Sequence, residues 1–192
     1  MLSRAIIAIF RDTIIFCCAA VCIPLLIQQN VDGSDFFNRS WEEFKVGFND
    51  SRGNYWLGNE LLHQLTYSGP YKLRFDLEAL NGSWYYADYS RFVVSSEVQN
   101  YKISVSGYSG NAVDAFSSHN DMMFTTYDRD NDPLTSPDYN SNCAVRTGGG
   151  FWHKYCSNVS VNGVADSWHF RWSTENAGTI FHLKSCRMWL TC

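Results

Sequence analysis

The segment Tyr71-Lys-Leu-Arg-Phe-Asp-Leu77 constrains the fold more tightly than any other part of this chain. Its residues alternate between apolar and polar, the period of a strand with one buried and one solvated face. Shortly after it, Asn81-Gly82 is a dipeptide suited to a tight turn, and Trp84 to Tyr89 can return as the partner strand. A lone hairpin is marginal in water, so further strands have to extend it. Phe92 to Val94, Tyr101 to Val105 and Thr179 to Leu190 are the candidates. Two short helices are predicted ahead of the hairpin. Ser40-Trp-Glu-Glu43 has the capping-box pattern and opens a helix through Val46. Asn59 to Leu65 reads as a second, capped by Asn59 and burying Leu61, Leu62 and Leu65.

A length of 192 residues suits one domain with a single sizeable core. With 45% hydrophobic and 18% charged residues the composition is that of a folded chain. The formal net charge of −4 provides no basic footprint, so nucleic acid is not an expected partner. Aromatic residues reach 16%, which suits a loop-rich recognition surface. Residues 1–27 differ in kind from the rest. Met1 to Arg4 is a short basic start, Arg11 and Asp12 interrupt the apolar stretch from Ala5, and Thr13 to Ile27 is broken only by Pro24. This reads as a signal peptide, with Ala20-Val-Cys22 as a loose cleavage motif, or as a signal anchor. A third reading is the start of an incomplete chain. The globular domain is expected over 28–192, outside the cell, with a membrane involved only if residues 5–27 stay as an anchor.

After Gly107 the patterning fades, and Asp128 to Gly150 has almost no periodic apolar signal. So long a loop in a compact domain is usually functional or pinned. Asp128-Arg-Asp130-Asn-Asp132 places three carboxylates at alternate positions, where their oxygens can converge on a hard cation. The alternative is a solvated acidic loop. An EF-hand is excluded, because Pro133 and Tyr139 stand where Gly and a bidentate Glu are needed. In an oxidising compartment Cys143 and Cys156 would close a loop of twelve residues, contributing ~3 kcal/mol in the chain-entropy model. Cys186 and Cys192, if on one strand, stand ~20 Å apart, so they pair only if the tail folds back, or they seek another chain. No HExxH, GxSxG or phosphate-loop motif occurs, and the five histidines are scattered, so an enzyme is not expected. Four sequons begin at Asn38, Asn49, Asn81 and Asn158 and are compatible with glycosylation.

Phe36-Phe-Asn-Arg-Ser-Trp41, Gly47-Phe48, Tyr55-Trp-Leu-Gly-Asn-Glu60, Leu73-Arg-Phe-Asp-Leu77, Ser118-His-Asn120, Phe124-Thr-Thr-Tyr-Asp-Arg-Asp-Asn-Asp132, Asn142-Cys-Ala144 and Asn162-Gly163 fall in a recognisable order. From about Gln28 to Leu190 the chain resembles fibrinogen C-terminal domains, a family that includes ficolins, angiopoietins, tenascins and the fibrinogen chains. The resemblance implies an α+β fold, with short helices on a twisted antiparallel sheet and a loop-rich calcium- and ligand-binding subdomain. It implies calcium held by Asp130, Asp132 and the Leu134 carbonyl, with Asp128 a secondary candidate. Relative to the family, the N-terminal subdomain ahead of Val31-Asp-Gly-Ser34 is missing.

In the lectin-like members an aromatic-lined pocket accepts an acetyl group beside the second cysteine, which follows a cis peptide. The matching residues here are Tyr155, Cys156 and Ser157, with Thr147 opposite. Thr147 stands where those lectins usually carry an aromatic, Ser157 stands where His or Tyr is common, and Gly163 to Trp172 is short. The implied function is a secreted, calcium-dependent recognition module, binding glycans or acetylated groups in innate defence or adhesion. The alternative is an extracellular signalling or adhesion ligand for a protein receptor.

Overall fold

The computed structural model describes residues 23–135, 141–156, 158–165, 169–173 and 180–191. Its frame is an antiparallel sheet whose longest strands carry the alternation seen in the sequence. Strand β1 spans Leu25–Asn30; helix α1 Trp41–Val46; the short strands β2 and β3 Phe48–Asn49 and Tyr55–Trp56; and helix α2 Asn59–Tyr67. The hairpin follows as β4 (Lys72–Ala79) and β5 (Trp84–Val94), then β6 (Ile103–Gly110), helix α3 (Cys143–Thr147), β7 (Val159–Ser160), β8 (Arg171–Ser173) and β9 (Ile180–Thr191). The strand order is β2-β3-β1-β9-β4-β5-β6, and β7 and β8 extend from the start of β9. This is the α+β architecture expected.

Strand β9 lies at the centre of the sheet, pairing with β1 on one edge and with β4 on the other. Cys186 sits there, buried between Asn30 and Leu77. One face of β4 buries Leu73, Phe75 and Leu77, while Arg74, Asp76 and Glu78 face outward. The outward residues pair with one another and with neighbouring strands, Arg74 with Asp76 and Asp88, and Glu78 with Lys184. Strand β5 takes in Phe92 to Val94, which the sequence pattern had separated. Its buried residues change parity between Tyr89 and Phe92, across exposed Ser90 and Arg91. Ser90 stands opposite Gly107, whose φ of +76° and missing side chain admit the Ser90 hydroxyl; a Cβ there would lie 1.9 Å from it. One strand thus serves two packing layers, and the broken alternation marks the place.

Helix α1 carries the complete capping box: Ser40 accepts from the Glu43 amide, and Glu43 accepts from the Ser40 amide. Its inner face delivers Trp41 and Phe44 to an aromatic cluster with Trp56, Phe124 and Trp152. In α2 the expected cap is corrected. Gly58, at φ +110°, is the N-cap, and Asn59 is the first helical residue with its amide buried and without a hydrogen-bond partner. Leu62 and Leu65 are buried as expected, whereas Leu61 is half-buried. The expected domain boundary at residue 27 falls inside β1, where Leu25 pairs with Leu190 and Ile27 is fully buried. Residues 1–22, with Cys17, Cys18 and Cys22, and also Cys192, lie outside the described residues. Among the described residues no helix is long and apolar enough to cross a membrane.

Replacing the cap tests α1 directly. Ser40→Ala should lower unfolding stability by about 1 kcal/mol, measured by denaturant titration.

Candidate functional site

The long segment between β6 and β7 is organised by side chains that satisfy its backbone. Thr125 and Phe151 exchange two backbone hydrogen bonds, at 2.9 and 3.1 Å. Thr126 and Arg129 do likewise and close a tight turn over Tyr127 and Asp128. Asn131 points inward, its amide donating to the Phe124 carbonyl at 2.7 Å. Asn142 donates to the Thr126 carbonyl at 2.9 Å and caps α3 by accepting from the Val145 amide. Both asparagines stand in the motifs Phe124 to Asp132 and Asn142-Cys-Ala144, but residue type alone did not show that they hold loop carbonyls.

The three carboxylates separate into two roles. Asp128 accepts from the Trp41 amide at 2.9 Å and from the Thr126 hydroxyl at 2.7 Å, which ties the turn to the first residue of α1. Asp132 accepts from the Leu134 amide with one oxygen and from the Cys143 amide with the other, at 2.9 and 2.8 Å. Asp130 accepts from the Asp132 amide at 3.3 Å and is exposed. No side-chain cation pairs with Asp130 or Asp132 among the described residues. Partial desolvation of this largely exposed side chain, then the neighbouring Asp132 charge, raise the Asp130 carboxyl above its ordinary range. A cation taking an oxygen from each would remove that repulsion. Among the described residues no three His, Cys, Asp or Glu side chains converge on a metal position. The remaining donors would therefore be main-chain carbonyls and water, a hard oxygen set that suits calcium.

The disulfide between Cys143 and Cys156 is formed, with Cα atoms 4.8 Å apart. It joins the start of α3 to the end of the loop that carries Tyr155. The expected cis peptide is not there: all peptides among the described residues are trans, and Tyr155 and Cys156 turn the chain at φ +53° and +60° instead. Two consecutive left-handed residues with side chains cost of order 1 kcal/mol each, and the disulfide holds them. Tyr155 is 51% exposed, whereas Thr147 is only 1% exposed. The Thr147 hydroxyl donates to the Cys143 carbonyl at 2.8 Å, so Thr147 supports α3 from behind and does not line a binding surface. That corrects its expected role. Arg146 reaches over the disulfide, its guanidinium 3.9 Å from the Cys156 sulfur. Ser157 and the middle of Gly163 to Trp172 lie outside the described residues.

Two buried histidines brace this loop. His119 Nδ1 faces the Trp152 carbonyl at 2.7 Å, and His153 Nε2 faces the Gly149 carbonyl at 2.9 Å. Each of these nitrogens carries the proton, which leaves His119 Nε2 and His153 Nδ1 buried without a partner. Protonating either would bury an unpaired N–H and a charge, so desolvation lowers both rings to about 4.

The family model described as fibrinogen beta and gamma chains, C-terminal globular domain, matches residues 22–190. The human fibrinogen alpha chain is 42% identical over 155 residues, which cover 73% of this chain and 17% of that protein. Human ficolin-3 is 41% identical over 140 residues, covering 72% of this chain and 45% of ficolin-3. The chain thus spans less than half the length of either relative. Among solved structures, the fibrinogen-like globe domain of human ANGPTL2 superposes with a TM-score of 0.76 at 36% identity, over 87% of this chain and 79% of that one. Lamprey fibrin D-dimer complexed with Gly-His-Arg-Pro-amide superposes at 0.70 with 30% identity, over 86% and 60%.

The histidine pair makes stability depend on pH. In the unfolded chain both imidazoles titrate near 6.5, so between 6.5 and about 4 the unfolded state binds more protons than the fold. Their contribution is complete above 6.5 and is lost as pH falls towards 4. The melting temperature should therefore drop between pH 7 and pH 5. The double variant His119→Asn, His153→Gln keeps both hydrogen-bond donors and should flatten that drop; an unchanged slope would assign it to other groups.

Proposed function

Because the chain belongs to the fibrinogen C-terminal globular-domain family, we propose that it is an extracellular, calcium-dependent recognition module. In this reading the loop bearing Asp130 and Asp132, clamped by the Cys143–Cys156 disulfide, presents a binding surface around Tyr155. The observation that carries it is the Asp130–Asp132 pair. The Asp132 charge acts on the neighbouring Asp130 carboxyl, neither forms an ion pair among the described residues, and Asp132 also holds the first amide of the disulfide-bearing helix. Asp130, Asp132 and main-chain oxygens after them, the Leu134 carbonyl first, would hold the ion. Calcium supplies a charge that cancels the carboxylate repulsion, while Asp132 orients α3 and so the disulfide. Relatives in the family, ficolin-3 and the fibrinogen-like globe domain of human ANGPTL2 among them, support a secreted binding role.

For the ligand, ficolin-3 among the relatives favours a glycan or an acetylated group. A second reading, a protein receptor, is favoured by what the same loops expose. Tyr127, Val145 and Tyr155 are all exposed, and Thr147 offers no pocket wall. A surface of separate apolar side chains suits a protein partner better than a small sugar, which needs a concave wall.

One measurement tests the calcium site and a second separates the two ligand readings. Asp130→Asn removes one charge and keeps an acceptor. Without calcium its melting temperature should equal or exceed that of the wild type, since a repulsion is relieved. The upward shift that calcium gives the wild type should vanish. A calcium shift retained in full would place the ion elsewhere. For the ligand, titration with an N-acetylhexosamine should give a Kd no tighter than about 1 mM, or roughly −4 kcal/mol. Clearly tighter, calcium-dependent binding would favour the lectin reading over the receptor reading.

A further inference from the structure

The fold separates the four sequons. Asn38, Asn49 and Asn81 are exposed, whereas Asn158 is 5% exposed and the Ser160 of its sequon is also buried. Asn81 differs from the other two in its surroundings. It stands at the tip of the β4–β5 hairpin, where its side-chain oxygen accepts from the Ser83 amide at 3.0 Å and the residue is exposed. Gly82 beside it, at φ +83°, has nothing within 4 Å of where a side chain would be. On either side, Leu80 is 66% exposed and Trp84 is 50% exposed. The Arg187 guanidinium lies 6.0 Å from the Trp84 ring centroid, and the rest of the half-exposed indole and Leu80 remain in contact with water, at a cost that further cover would reduce. A carbohydrate chain on Asn81 would do so, because the C–H face of a sugar ring can lie on an indole. No such pairing of an accessible amide with uncovered apolar surface exists at Asn158, whose carbonyl is held by the Ser173 amide at 2.8 Å where β7 meets β8.

We propose that Asn81 is an N-linked glycosylation site whose glycan covers Leu80 and Trp84, and that Asn158 is left unmodified in the folded molecule. The co-reactant is a lipid-pyrophosphate-linked oligosaccharide. The Asn81 amide nitrogen forms a bond to the anomeric carbon as the glycosyl–phosphate C–O bond breaks. The lipid pyrophosphate leaves with that electron pair, and one amide proton passes to the transferase's base. The inference requires only passage through a glycosylating secretory route, and it stands whatever ligand the calcium loop recognises.

The test uses the full chain, exported by cultured animal cells behind a heterologous secretory leader. Peptide-N-glycosidase in heavy-oxygen water converts each glycosylated Asn into labelled Asp, which peptide mass spectrometry then locates. Asn81 should be labelled in most molecules, and Asn158 unlabelled in molecules whose Cys143–Cys156 disulfide is intact. Exported protein with Asn81 unlabelled would overturn the site, and labelled Asn158 in disulfide-bonded protein would overturn the exclusion. Ser83→Ala removes the sequon but keeps the backbone amide that Asn81 accepts from, so the turn is retained. That variant should migrate as a species one glycan smaller and bind an apolar-surface dye severalfold more than wild type. Dye binding equal to that of the glycosylated wild type would overturn the covering role.

Discussion

Every buried backbone N–H and C=O must be paired, and in this molecule that requirement falls hardest on the segment between β6 and β7. Among its described residues it contains one 3-10 turn (Phe116–His119), one short α-helix and two isolated bridges, so ladder bonds cannot meet it. Side chains take over. Asn131 binds the Phe124 carbonyl, Asn142 the Thr126 carbonyl, Asn162 the Gly150 carbonyl, and Asp128 the amide of Trp41. Asn162 is itself held by Gln28 of β1, so the network ends in the sheet. The irregular half of the domain is therefore as determined as the sheet, by a hydrogen-bond pattern that is chemical and not periodic.

That difference explains what could be read in the sequence. Strand β4 was visible because burial on one face writes a period of two into the residues. The capping box of α1 was visible because its two reciprocal bonds need particular residues three apart. The rest of β5 was hidden, since the parity change at Ser90 and Arg91 looks like a strand end until Gly107 is seen opposite. Asn59 looked like a cap because its residue type is common there, but whether a side chain turns in or out of a helix start is a tertiary fact. At the site, the acidic triplet and the cysteine pair were legible as chemistry. The division of labour among the carboxylates was not, because Asp128 takes its role from Trp41, a residue distant in sequence. Thr147 was placed by alignment of residue types, and only packing showed that it is buried.

Asp132 couples the two halves of the site. One carboxylate holds both the Leu134 amide of the acidic loop and the Cys143 amide at the start of α3, so the loop and the orientation of the disulfide draw on the same side chain. Any change that moves Asp132 alters both, whereas Asp130 touches only the first. The exposed Tyr155 lies at the far end of this lever, in a turn that the disulfide keeps in left-handed backbone.

The centre of the sheet is made from strands that lie far apart along the chain. Leu25 pairs with Leu190 and Asn30 with Cys186, while α1 waits for Asp128 to complete its first turn. A topology dominated by such distant pairings has high contact order and folds slowly, since loop-closure entropy is lost before contacts repay it. On the ribosome, β4 and β5 can associate early, but β1 and β4 have no common neighbour until β9 emerges. Until then one edge of each strand has unpaired backbone groups, so the frame of the sheet is completed only when the last strand of the domain pairs between them.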